Sequence, residues 1–268
     1  MLTEAAQRLY LSRIEQALKA ACTIASQYAS GTFRVHDNGG RDVVTEVDRR
    51  LSHELRGLLQ KPGEGWLSEE DPDDEARLAC GPVWVVDPLD GTREFVDGIP
   101  EWCISVGLVV EGVPVAGGTC NPATNEFFLG SLDCGVAYNS RPVSASTRTT
   151  LQEATVVASR QECKRGEWSR FETSPFRVKP MGSVAYKLSL VAAGLVDATW
   201  TLSPKHEWDV AAGVALVAGA GGRVGWFDSQ ELRFNQETTL LPGLIASGKN
   251  LWPEIIQLLA ADYQESSR

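Results

Sequence analysis

Apolar positions spaced three to five residues apart open the chain. Leu9, Ile14, Leu18, Ala21, Ala25 and Tyr28 share one face between about residues 3 and 29, which predicts an amphipathic helix with Gly31 as its stop. His36-Asp37-Asn38-Gly39-Gly40-Arg41 reads as a turn, and Asp42 to Val44 as the start of a short strand. Thr45, with Asp48 three residues on, has the form of a capping box. It opens a second helix to about Leu59 that buries Val47, Leu51, Leu55 and Leu58. Trp66-Leu67 begins another short strand. Val83-Trp84-Val85-Val86 has three β-branched residues in four and predicts a strand packed on both faces. Asp87-Pro88 ends it, because proline cannot donate to a ladder.

From Glu101 to about Ala137 the pattern turns antiparallel. Strands at Cys103–Val110, Val113–Cys120 and Glu126–Leu129 are separated by Glu111-Gly112 and Asn121-Pro122-Ala123. A strand at Ala154–Ser159 and a polar loop from Gln161 to Ser174 follow. Gly182-Ser183 opens a helix to about Ala193 with Ala185, Leu188, Val191 and Ala192 as its apolar face. Then come a strand at Val196–Leu202, a helix from His206 to Ala218, strands at Arg223–Phe227 and Leu244–Ser247, and a closing helix at Trp252–Ala261. No repeat, low-complexity segment or linker intervenes. The expectation is one domain over residues 1–268, an α/β halves pair of about 1–150 and 151–268, forming a layered sandwich with mixed sheets.

A formal charge of −10 argues against a surface that tracks nucleic acid, and it suits a protein that gathers carboxylates around cations. No apolar run reaches the roughly 18 residues of a membrane span, and Glu4 and Arg8 interrupt any signal-peptide core. Six cysteines without a C-x-x-C pair read as separate reduced thiols. Together these predict a cytoplasmic protein with neither a membrane nor a nucleic-acid partner.

Candidate chemistry collects where apolar elements stop. In Asp87-Pro88-Leu89-Asp90-Gly91-Thr92, two carboxylates, the Leu89 carbonyl and the Thr92 hydroxyl offer hard oxygen ligands at a strand end. Asp48, Glu69, Glu70 and Asp209 likewise follow or cap apolar elements, and Asp209 precedes the small residues Val-Ala-Ala-Gly. The run Asp73 to Glu75 reads as a solvated loop. Taken singly, each of the other acids is a cap, a turn residue or a surface charge. Together they are the inventory of a two- or three-Mg²⁺ phosphoryl-hydrolysis site. There, metals about 3.5–4 Å apart polarise a phosphate and lower the pKa of a water.

In this order Val44-Thr-Glu-Val-Asp48, Ser68-Glu-Glu70, Asp87-Pro-Leu-Asp-Gly-Thr92 and Trp208-Asp-Val-Ala-Ala-Gly213 resemble the motif set of the inositol monophosphatase superfamily. That superfamily comprises lithium-sensitive, Mg²⁺-dependent phosphomonoesterases, and the resemblance covers nearly the whole chain. It implies an αβαβα sandwich, a small-molecule phosphate ester as substrate and two or three Mg²⁺ per site, with Mn²⁺ as a substitute. A homodimer is compatible with it. By the same resemblance Glu69, Asp87 and the Leu89 carbonyl hold a first metal, Asp87, Asp90 and Asp209 a second, and Glu69 with waters a third. Thr92, with Glu69 or Asp48, orients the nucleophilic water. Gly91 and Thr92 receive the phosphate through their backbone, Asp209 also faces the substrate, and Glu70 stands behind.

Thr92-Arg-Glu-Phe95 and Ser68-Glu-Glu-Asp71 resemble the 3′(2′),5′-bisphosphate nucleotidase branch, the CysQ type, which hydrolyses 3′-phosphoadenosine 5′-phosphate. Lys187, seven residues before Gly194, stands where that branch carries a lysine suited to a second phosphate. Its other reading is a solvent-facing helix residue. Gly182-Ser-Val-Ala-Tyr-Lys187 is one residue longer than the usual G-S-S-L-K. An inositol monophosphatase, a sugar bisphosphatase such as a fructose-1,6-bisphosphate enzyme and, remotely, a non-catalytic metal-binding protein are the alternatives. His36, His53 and His206 show no metal spacing. The eight tryptophans read as core, with Trp102 and Trp208 near the supposed site.

Overall fold

The computed structural model describes residues 2–28, 35–37, 43–227 and 232–266, with side chains described for 2–28, 46–227 and 232–260. Helix α1 (Glu4–Ala25) is capped by Thr3, whose hydroxyl accepts from the Ala6 N–H. It buries Ile14, Ala17, Leu18, Ala21 and Ala25, but Leu9 is 59% exposed. Gln7, two turns before Ile14, occupies the buried stripe in its place and bonds Asp133. The expected stop at Gly31 lies outside the described residues. Strand β1 (Val35–Asp37) pairs antiparallel with β2 (Val43–Thr45), so part of the expected turn is a strand; residues 38–42 and the capping side chain of Thr45 lie outside the described set. Helix α2 (Glu46–Leu59) buries Val47, Asp48, Leu51, Leu55 and Leu59. Leu58 is 43% exposed, because the residue four after Leu55 completes the stripe.

Strand β3 (Gly65–Ser68) runs parallel to β4 (Pro82–Asp90), between which Glu75–Ala79 forms one 3₁₀ turn that starts in the exposed Asp73–Glu75 run. The short helix α3 (Thr92–Val96) leads to an antiparallel series: β5 (Cys103–Val110), β6 (Val113–Asn121), β7 (Glu126–Ser131), β8 (Gly135–Tyr138) and β9 (Arg141–Val143). These and β3–β4 make a seven-stranded sheet in chain order. Strand β4 does not end at Pro88. It pairs Asp87 with Ser105, shifts register, and pairs Asp90 with Cys103, so the missing proline N–H falls inside an irregularity.

Strand β10 (Thr155–Ser159) leads into α4 (Arg160–Lys164), then β11 (Arg177–Met181), α5 (Val184–Ala192) and β12 (Ala198–Thr201). The expected polar loop is thus partly helical, and it buries Trp168 and Phe171 against Trp200. The chain ends with β13 (Lys205–His206), α6 (Glu207–Gly219), β14 (Gly222–Gly225), β15 (Leu240–Leu241), β16 (Leu244–Gly248) and α7 (Trp252–Ser266). The second sheet has the order β11-β10-β12-β16-β14, parallel where β10 meets β11 and β12 and antiparallel elsewhere.

Three apolar clusters set the layers. One joins α1 and α2 to the outer face of the large sheet, and one fills the space between the sheets around α5 and α6. The third packs α7 with Trp168, Phe171 and Trp200 on the far face of the small sheet. This is the αβαβα sandwich. Every residue of α5 is buried, because sheets and α6 surround it, and the expected single apolar face does not exist. Helix α6 lies on β5 and β6 at glycine positions: a Cβ at Gly117 would sit 2.6 Å from the Ala212 carbonyl oxygen. The same packing of α1 on β6 brings Cys22 and Cys120, 98 residues apart, to a disulfide with Cα atoms 6.7 Å apart. This corrects the expectation of separate thiols for that pair, while Cys80, Cys103, Cys134 and Cys163 are free.

Candidate active site

The turn after β4 is held by its own side chains. Asp87 accepts the Leu89 N–H at 2.9 Å, and the Thr92 hydroxyl donates to the Leu89 carbonyl at 3.0 Å. Gly91 has φ 99°, and a Cβ there would lie 3.0 Å from Trp102, so only glycine makes this turn without strain. Asp90 reaches across to the start of α5, where the Ser183 hydroxyl (2.7 Å) and the Ala185 N–H (2.6 Å) both donate to its Oδ2. Asp209 occupies the third position of α6 and accepts the His206 N–H at 2.9 Å, completing a capping box.

These residues bound a cleft of about 380 Å³. Of the residues singled out from the sequence, Glu69, Asp87, Leu89, Asp90, Gly91, Thr92, Lys187 and Asp209 line it. Asp48 and Glu70 do not; Asp48 is 2% exposed on α2 and acts on Glu69 and Glu70 through its charge. Asp48 does stand in the first turn of α2, as a helix-start charge, and it is buried there. His206 stacks on Trp208 with ring centres 4.3 Å apart, and its Nδ1 lies 3.1 Å from the Thr239 hydroxyl. Trp102 packs edge-on against Phe95. The lining also contains residues the sequence reading missed, among them Arg160, Trp200 and Lys205. Their one sequence signal was position, at the ends of β10 and β12 and just before α6.

The acids repel one another. Glu69, although open to solvent along its side chain, has its carboxyl raised far above the usual range by enclosure in the cleft and then by the charges of Asp209, Glu70, Asp90 and Asp48. Asp87 is raised by burial first, then by Glu69, Asp90 and Asp209. Asp209 is pushed up to about 7 by burial and Asp90, against the opposing pull of the His206 N–H, Lys205 and Lys187. Glu70 reaches about 7 through burial and Asp48. Asp90 is raised by burial, with Ser183, Ala185, Lys187 and Lys205 opposing. A cluster of hard oxygen donors that burial and mutual charge drive toward protonation fits a divalent cation, which can take the place of those protons. Among the described residues no three His, Cys, Asp or Glu side chains already close on a common point; the carboxylates are turned to protein donors instead.

Lys187 is neither solvent-facing nor loosely placed. It is 4% exposed, and its ammonium donates to the carbonyls of Ser183 (3.0 Å) and Gly182 (3.3 Å). Burial lowers its pKa, with Asp90, Glu162 and Glu94 opposing.

The layered fold carries a carboxylate-lined cleft at the ends of its strands, and similarity names the class. The sequence matches the inositol monophosphatase family over residues 5–268, and the chain belongs to that family of metal-dependent phosphatases. It is 32% identical over 260 residues to the inositol-1-monophosphatase of Caulobacter vibrioides, covering 92% of this chain and 99% of that one. It is equally 32% identical over 213 residues to a fructose-1,6-bisphosphatase/inositol-1-monophosphatase of Thermotoga maritima, covering 77% and 80%. Among solved structures, CysQ from Bacteroides thetaiotaomicron superposes with a TM-score of 0.74 at 28% identity, covering 91% of this chain and 98% of that one.

Proposed function

We propose that the protein is a cytoplasmic, Mg²⁺-dependent phosphatase that removes the 3′-phosphate of 3′-phosphoadenosine 5′-phosphate. The observation that carries the reading is that one cleft is lined by both kinds of charge: the acids Glu69, Asp87, Asp90 and Asp209, and the bases Arg160, Lys187 and Lys205. The acids would bind cations, and the bases favour a substrate with more negative charge than one phosphate carries. Glu69, Asp87 and the Leu89 carbonyl would hold one Mg²⁺, and Asp87, Asp90 and Asp209 another. When bound, the ions would neutralise charge on the phosphate and make a water nucleophilic at neutral pH.

The chain's own groups supply position. The Thr92 hydroxyl donates a hydrogen bond to the Leu89 carbonyl, which leaves its lone pairs to accept from a water and aim it, with Glu69 as the further acceptor and Asp48 acting on Glu69 through its charge. The backbone of Gly91 and Thr92 meets the scissile phosphate. The likeness to CysQ and the Arg93-Glu94-Phe95 sequence support the nucleotide branch. A sugar bisphosphatase is the second reading, favoured by the bifunctional Thermotoga maritima relative. Turnover of 3′-phosphoadenosine 5′-phosphate, inositol-1-phosphate and fructose-1,6-bisphosphate, measured side by side with Mg²⁺, tests the choice. The nucleotide should give the highest kcat/KM, and a faster inositol-1-phosphate reaction would overturn the nucleotide reading.

A further inference from the structure

The cations Arg160, Lys187 and Lys205 of the cleft have unequal commitments. Lys187 is engaged with two carbonyls and buried. Arg160 bonds Glu101 through Nη2, while its Nε, 3.8 Å from Glu94, is buried with no hydrogen-bond partner among the described residues. Lys205 keeps 21% of its side chain exposed and donates to the Pro204 carbonyl at 3.3 Å. It stands 3.9 Å from Glu162, beyond hydrogen-bond length. Glu162 is itself satisfied by Trp168 Nε1 at 3.1 Å and by the Thr201 hydroxyl, so its hold on Lys205 is loose. Trp200, only 2% exposed, also lines the cleft and has an indole N–H without a partner among the described residues. Buried donor atoms left unpaired cost free energy, and a bound anion is the group that would recover it.

We propose that Lys205, with Arg160 in the lining of the same cleft, forms a second anion subsite that receives the phosphate of the substrate that is not hydrolysed. The proposal rests on the phosphomonoesterase reading and assigns the choice between bisphosphates and monophosphates to Lys205 rather than Lys187. Lys187 instead braces the Gly182-Ser183 turn, and through Ser183 it positions Asp90. Its loss therefore reaches every substrate alike. Lys205 lies within electrostatic range of Asp90, Asp209 and Lys187, its buried counter-charge is Glu162 at 3.9 Å, and its partial exposure lets it close on an incoming phosphate.

The test compares two esters that differ by one phosphate, 3′-phosphoadenosine 5′-phosphate and adenosine 3′-monophosphate, on wild type, Lys205→Met and Lys187→Met. The readout is the ratio of kcat/KM within the pair, in which a general loss through folding or metal binding cancels. Wild type should favour the bisphosphate about tenfold, mainly through KM, as an interaction equal in ground and transition states does. Lys205→Met should bring the ratio close to one, and Lys187→Met should lower both rates while keeping the ratio. A ratio unchanged in Lys205→Met, or near one in wild type while the monophosphate is hydrolysed, overturns the subsite and leaves the phosphatase reading standing. If neither nucleotide is turned over, fructose-1,6-bisphosphate and fructose 1-phosphate replace them under the same criteria. Failure to hydrolyse any phosphomonoester with Mg²⁺ would remove the parent reading and the subsite together.

Discussion

Ser183 donates its hydroxyl to Asp90 Oδ2 at 2.7 Å while accepting the Tyr186 N–H at 3.0 Å, so one side chain both caps α5 and fixes an acid of the cleft. Its φ is 48°, a conformation costly for a residue with a Cβ. The loop from the small sheet is thereby tied to the end of β4 in the large one. Ser183→Ala should lose the cap, roughly 1 kcal/mol, and raise the half-saturating Mg²⁺ concentration about tenfold as Asp90 loses its orientation. Ser183→Gly relieves the backbone and should recover stability but not metal affinity. Thermal midpoints together with Mg²⁺ titrations of turnover separate the two; equal recovery of both by glycine would mean that the hydroxyl does not position Asp90.

Metal removal follows from the acid cluster. With EDTA the protein should be folded and inactive, and Mg²⁺ or Mn²⁺ should restore turnover and raise the thermal midpoint, because the ion binds the folded cluster and not the unfolded chain. Thermal shift with increasing Mg²⁺ and a rate assay in parallel are the measurements. Full phosphatase activity in excess EDTA would refute the carboxylate assignment.

Removing one acid should divide stability from activity. Asp209→Asn keeps the shape and deletes a charge that burial and Asp90 oppose. In EDTA its thermal midpoint should equal or exceed that of wild type, since relief of repulsion outweighs the weakened His206 N–H bond. With Mg²⁺ the upward shift should shrink, and kcat should fall by about 10²-fold or more. Asp90→Asn should behave alike in rate, although its bonds to Ser183 and Ala185 make the EDTA midpoint less favourable. Near-normal turnover of either variant at moderate Mg²⁺ would remove that residue from the site.

The sequence made the acids of the cleft legible because each directly follows or caps an apolar element, and an element's end is readable from its period. Glu69 after β3, Asp87 and Asp90 at the end of β4 and Asp209 in the first turn of α6 are such positions. Arg160 and Lys205 in the same lining were not legible. Arg160 and Lys205 are ordinary polar residues until β10 and β12 pair in parallel and set the loop ends side by side, a tertiary fact with no local period. Burial was misjudged for the same reason. Lys187 and α5 carry polar or mixed patterns, yet elements on every side enclose them. At Pro88 the rule that proline ends a strand gave way to an irregular register that keeps Asp90 paired with Cys103. Leu9 failed because an apolar residue off the stripe meets no partner, while Gln7 on the stripe does.

Acid sensitivity can be assigned to a pair remote from the cleft. Arg13 of α1 grips Glu64 with Nη1 at 2.7 Å and Nη2 at 2.6 Å, and Trp84 Nε1 and the Lys61 N–H donate to the same carboxylate at 2.9 and 3.0 Å. Burial alone would raise the Glu64 pKa, but the donors from Arg13, Trp84 and Lys61 outweigh it and hold it below 4.5. A folded pKa below the unfolded one means that the stabilisation is fully present above about pH 4.5 and is lost as pH falls through the folded value. Glu64→Gln also leaves the Arg13 guanidinium, 10% exposed, without its counter-charge. That should cost about 3 kcal/mol near pH 7, a drop of several degrees in thermal midpoint. As pH falls through the folded value wild type loses the same charge, so the gap between the two proteins should narrow. Thermal unfolding in EDTA from pH 3 to pH 8 measures that gap and keeps metal binding out of it. A gap that stays constant across the range would show that Glu64 does not titrate there, and the acid sensitivity would belong to other carboxylates, such as Asp73 beside Arg77.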